Sequence, residues 1–170
     1  MYLSFQGARY TADLAWSVGD TEKALRCFNE MIATAKIDVF KITPYAGLAK
    51  IYLEQGNWAQ AAGYLAESIV LQLANPIHVT FEDLFFLVEF TAILALSQGR
   101  AETAVRLLAA ANRSYQFNHL TFPPPQRLMV DQAYATARNS LDATAFTTAW
   151  ETGLAMTLNQ ALELALTTVK

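Results

Sequence analysis

Cys27, His78 and His119 are the side chains of this chain best suited to nucleophilic or metal chemistry. A catalytic thiol needs a base beside it, and neither histidine stands in a recognisable context. The two histidines are far apart in sequence, each near a loop. No His-x3-His pair, Cys-x2-Cys pair, Gly-x-Ser-x-Gly elbow or Gly-rich phosphate loop occurs. Glu82 and Asp83 are adjacent carboxylates at a helix start, where the helix dipole accounts for them without acid–base chemistry. These residue types argue against an enzyme and call for no metal and no cofactor. A single cysteine also excludes an intrachain disulfide. Its place on an amphipathic stretch reads as a small core or boundary residue.

The elements around these residues follow a repeated spacing, Ala-x6-Gly-x4-Ala-x3 and then a large apolar residue. The first copy is Ala12, Gly19, Ala24 and Phe28; the second is Ala49, Gly56, Ala61 and Leu65; the third is Ala92, Gly99, Ala104 and Leu108. Such self-similarity marks a repeat architecture. Residues after each glycine have helical period, as in Ala24, Leu25, Phe28, Met31 and Ile32. Helical stretches at about 5–18, 43–55 and 80–98 precede the glycines. Thr43-Pro44 places a hydroxyl at an N-cap and proline at the first helical position, and Thr80 caps the next helix. Each glycine ends a helix in the left-handed region, and the short link to the next stripe demands tight hairpins. The paired alanines Ala12 and Ala24, Ala49 and Ala61, Ala92 and Ala104 let the two helices of each hairpin approach closely.

The pattern stops at His119-Leu120-Thr121-Phe122-Pro123-Pro124-Pro125, a stretch that cannot continue a helix. Helices follow over 126–141, 143–153 and 158–169, the last opened by the capping box Thr157-x-x-Gln160. The expected fold is all-α. Residues 1–118 form three helical hairpins, 119–125 a Pro-rich connector, and 126–170 a helical cap that packs as part of one domain.

Composition sets the surroundings. A net charge of −3 without a basic stripe argues against direct nucleic-acid binding. More than half of the residues are hydrophobic, enough for a sizeable core. Residues 1–10 lack the basic start and apolar run of a signal peptide. The apolar stretch 84–96 is broken by Glu89 and too short to span a bilayer. The expectation is a cytoplasmic protein without membrane contact.

The spacing resembles tetratricopeptide repeats, most fully in Ala49-x2-Tyr52-x3-Gly56-Asn57-Trp58-x2-Ala61-x3-Leu65. Ala15 and Ala95 stand where Tyr52 stands, and the proline expected after the second helix is missing or late, at Pro76. The resemblance covers about residues 5–118 and implies a right-handed superhelical array of antiparallel helix pairs. A second run extends from Leu107-Leu108-Ala109-Ala110-Ala111 through Pro124-Pro125-Gln126-Arg127 and Ala137-Arg138-x2-Leu141-Asp142. It continues through Phe146, Ala149-Trp150, Gly153 and Thr157-Leu158 to Ala161. This run, over about 100–168, resembles the C-terminal ends of large bacterial signal-transduction ATPases and maltose-activator-like transcriptional regulators. In those proteins a nucleotide-binding switch precedes a tetratricopeptide-like sensor. No phosphate loop and no basic recognition helix occur here, so ATP and DNA binding would sit in another module. The chain is then an excised sensor domain or a short stand-alone relative.

The resemblance places the first helix of each pair on a concave face. Its inward positions would be Gln6, Arg9, Asp13, Trp16 and Ser17, then Ala46, Lys50, Leu53 and Glu54, then Phe86, Glu89, Ile93 and Leu96. Arg9, Lys50 and Trp16 could hold a carboxylate-bearing peptide or ligand. The competing expectation is that Arg9, Asp13, Lys50 and Glu54 pair with one another or with solvent. Phe86, Ile93 and Leu96 read as packed core. Glu89, alone in an apolar stretch, calls for a partner such as Arg9 or Lys50. The function that follows is a non-catalytic interaction or sensor domain that binds a protein segment or its own upstream module. A small-molecule inducer sensor is the alternative, and a homodimer is a further expectation.

Overall fold

The structure is a computed structural model. It describes the backbone of residues 2–75, 81–118 and 124–170, and the side chains of 5–75, 86–113 and 127–170. Among these residues every regular element is helical. The helices are α1 (Tyr2–Ser17), α2 (Thr21–Thr34), α3 (Ile42–Glu54), α4 (Trp58–Ala74), α5 (Phe81–Ser97), α6 (Ala101–Asn118), α7 (Pro124–Asn139), α8 (Ala143–Ala155) and α9 (Leu158–Val169). A 3-10 turn, Asp38–Lys41, leads into α3. None of these helices is long and apolar enough to cross a membrane.

The chain divides into two compact units, residues 1–79 and 80–170. In the first, α1 packs on α2 and α3 on α4, with α2 against α3. In the second, α5 and α6 form the hairpin, α7 and α8 lie on α6, and α7 and α9 lie on α5. The third hairpin therefore shares a unit with the C-terminal helices.

All three hairpin turns close in the same way. Gly19, Gly56 and Gly99 have φ of 82°, 69° and 73°, a region that favours glycine. Asp20 N–H donates to Ala15 O, Asn57 N–H to Tyr52 O, and Arg100 N–H to Ala95 O, each at 2.8 Å. The glycine N–H groups donate to Trp16 O, Leu53 O and Leu96 O. This double closure satisfies carbonyls that the helix end leaves without partners. In the first two turns the next residue serves twice, since Asp20 and Asn57 also cap the following helix through their side chains. Arg100 cannot accept such a bond, and instead reaches the Thr168 carbonyl of α9 at 3.1 Å.

The repeated small residues do what their size allows. Ala12, Ala24, Ala49, Ala61, Ala92 and Ala104 are all sealed from solvent, and the large partners Phe28, Leu65 and Leu108 are buried beside them. Closer approaches occur at two glycines outside the repeat pattern. A methyl group on Gly47 would overlap the Phe28 ring, and one on Gly153 would overlap the backbone of α6 at Arg106.

Several boundaries differ from expectation: α7 ends at Asn139, α8 runs on to Ala155, and two helices start early. Helix α3 begins at Ile42, two residues before Pro44, because the 3-10 turn runs straight into it. Pro44 then falls at the third helical position, where its missing N–H still belongs to the donors that lack a helical partner. Helix α7 begins at Pro124 rather than after the proline run. The connector residues 119–123 and the Thr80 cap lie outside the described residues. The capping box expected at α9 is present, formed reciprocally by Thr157 and Gln160, and Asp142 caps α8 through its side chain.

Candidate functional site

In the first unit, α1 and α3 bring together five of the six residues singled out for binding. Ionisable and aromatic side chains spaced three or four apart share a helix face. Arg9, Asp13 and Trp16 therefore form one row on α1, and Lys50 and Glu54 form another on α3. The Lys50 ammonium donates to Asp13 Oδ1 at 2.8 Å and lies 3.8 Å above the centre of the Trp16 ring. The Trp16 indole N–H donates to Glu54 Oε2 at 2.7 Å. Arg9 Nε is 3.6 Å from Asp13 Oδ2. Two positive and two negative groups thus meet around one indole.

Burial within this cluster is graded. Lys50 is 5% exposed and Trp16 4%, while Glu54 is open to solvent and Asp13 is half-buried. Burial holds the Lys50 ammonium below its ordinary pKa; Asp13 opposes that shift, and Arg9 adds to it. The indole face supplies a cation–π contact that offsets part of the lost hydration. Of the two sequence expectations, the contacts are those of mutual pairing. Nothing in the cluster makes a nucleophile with a base and an oxyanion donor.

The remaining inward positions divide. Ala46 and Leu53 are buried. Gln6, Phe86, Ile93 and Leu96 are half-buried. Ser17 is exposed, and its hydroxyl donates locally to Leu14 O at 2.8 Å. Glu89 belongs to the second unit, where it is 2% exposed. It lines a cavity of about 270 Å³ with Asn112, Arg127, Asp131, Tyr134 and Trp150. That cavity is invisible to helical periodicity, because its walls come from α5, α6, α7 and α8 together. The one available signal was a buried acid in an apolar helix, which marked Glu89 alone.

A second cavity of about 490 Å³ sits in the first unit between Phe5, Met31 and Phe40, with half-buried Cys27 on its wall. No group of three metal-ligating side chains occurs among the described residues. His78 and His119, and the side chains of Glu82 and Asp83, lie outside the described residues. No protein-family model, curated protein or solved structure matches the chain.

Proposed function

We propose that the chain is a non-catalytic interaction or sensor domain of a bacterial transcriptional or signalling regulator, built as a tetratricopeptide-like array and working in the cytoplasm. The observation that carries this reading is the threefold recurrence of one hairpin turn, with the same backbone bonds at Gly19, Gly56 and Gly99. In the first unit the first helices of the two hairpins, α1 and α3, contact each other and present one face, which suits recognition of a segment. The Arg9, Asp13, Trp16, Lys50 and Glu54 cluster is the polar part of that surface. A protein segment bearing a carboxylate, or the regulator's own switch module, would compete with Asp13 and Glu54 for Lys50, Arg9 and the indole N–H. Selection from a displayed peptide library on the immobilised chain tests this. Enriched peptides should carry Asp, Glu or a terminal carboxylate and lose binding to an Arg9→Ala, Trp16→Phe variant, which removes two of the donors they would use. Failure to enrich, or enrichment indifferent to that variant, would reject the groove.

The cavity beside Glu89 favours a second reading, a small-molecule sensor. It has aromatic walls and a few polar groups, the usual makeup of a ligand site.

A further inference from the structure

We infer that the cavity of the first unit, between α1, α2 and the 3-10 turn, binds a neutral, largely apolar small molecule of about two fused rings. This site is used by neither of the readings above. Its volume of about 490 Å³ lies within the range of small-molecule sites. An apolar cavity of about 150 Å³ holds a single benzene ring, so two fused rings fit here with room to spare.

The space follows from the path of the chain. Helix α2 ends at Thr34, and Ala35 turns the backbone into an extended conformation, with φ −65° and ψ 115°. The chain returns through the 3-10 turn, which brings the Phe40 ring to 5.2 Å from the Phe5 ring of α1. Two small side chains, Ala8 and Ala35, line the gap that this detour leaves. Met31, 3% exposed, is the most buried part of the wall. Its unbranched thioether adapts to guests of different outline.

The walls select against charge. Among the described wall residues only Glu30 and Lys36 are charged, and both are exposed to water, where a charge adds little to binding. A charged guest would give up hydration with nothing in the interior to replace it. The wall hydroxyls are committed to their own helices: Thr11 Oγ1 donates to Gly7 O at 2.9 Å, and Thr34 Oγ1 to Glu30 O at 2.7 Å. Each can therefore only accept from a guest. Both threonines are exposed, so a guest hydroxyl finds its acceptor at the mouth while the rings lie against Phe5, Met31 and Phe40. Water in the interior would have few polar partners. An apolar guest restores the contacts that walls facing a void lack.

The probe is 2-naphthol, neutral at neutral pH, with naphthalene-2-carboxylate and 2-naphthylmethylammonium as charged analogues. Cys27 is the only cysteine and stands half-buried on the cavity wall, so its alkylation by iodoacetamide reads occupancy. Saturating 2-naphthol should slow that alkylation about fivefold or more in the full chain, with the midpoint that calorimetry gives for binding. Each charged analogue should bind about fivefold more weakly, or less well still. Ala8→Phe places a ring in the cavity and should abolish naphthol binding without lowering the melting temperature. The alkylation test uses the parent chain and does not depend on how that variant folds. Unchanged alkylation at millimolar 2-naphthol, equal or tighter binding of either charged analogue, or undiminished binding to a folded Ala8→Phe variant would overturn the assignment.

Discussion

Replacing Gly153 with alanine tests how closely α6 and α8 approach. An added Cβ would overlap the Arg106 carbonyl and lie 2.7 Å from Ala109 Cβ and 2.8 Å from Arg106 Cα. Ordinary contacts begin near 3.4 Å, so the helices must part by a large fraction of an ångström. Overpacking of this kind costs about 1–3 kcal/mol. Alanine returns up to about 1 kcal/mol through its helix propensity. The net loss should be about 1–2 kcal/mol, since the obstacle is backbone and cannot rotate away. For a chain of this size that lowers the melting temperature by roughly 2–8 °C. Gly63 is the control, an exposed helical glycine whose added Cβ would meet nothing within 4 Å. Gly63→Ala should stabilise by about 0.5–1 kcal/mol. Thermal melts followed by circular dichroism compare the two. A Gly153→Ala protein as stable as the parent, beside a stabilised Gly63→Ala protein, would refute the close approach.

Other perturbations read the first unit. Gly47→Ala should destabilise in the same way, because Phe28 must leave its seat; Gly47→Ala combined with Phe28→Leu should recover part of the loss. Lys50 has a lowered pKa in the fold, so the unfolded chain binds more protons between that value and 10.5. The stability of the parent relative to Lys50→Met should therefore rise as pH climbs toward 10.5, as read by denaturant titration; a flat difference would contradict the burial of the ammonium. Trp16→Phe removes the indole bond to Glu54 and should cost about 0.5–1.5 kcal/mol. Tyr10 and Leu14 on α1, with Val18 just after it, form an exposed apolar row. If that row pairs two copies, Leu14→Glu will lower the sedimentation coefficient at high concentration, and a parent that is monomeric at every concentration rejects the homodimer.

The hairpins were legible because their determinants are local. A positive φ selects glycine, and a close helix contact selects alanine, so both leave marks at fixed spacing. The start of α3 was misread because Thr43-Pro44 has the form of a cap, while the preceding 3-10 turn already supplies helical backbone. The α1–α3 cluster was legible as a set of residues but not as a set of bonds. The tetratricopeptide resemblance implies that Asp13 and Lys50 stand on neighbouring first helices, but only the packed depth of Lys50 decides that it turns to Asp13 and Trp16. The Glu89 cavity was the least legible, since Asn112, Tyr134 and Trp150 come from three helices with no common period.

The indole N–H signals of the three tryptophans, Trp16, Trp58 and Trp150, allow the most direct test of recognition through the α1–α3 surface. Trp16 reports on that surface, Trp150 on the cavity, and Trp58 on the opening turn of α4. A nitrogen–proton correlation spectrum, recorded as a display-selected peptide is added, should move the Trp16 signal most, with Trp58 and Trp150 nearly still. A Trp16 signal that stays fixed while the peptide binds would contradict recognition through this surface.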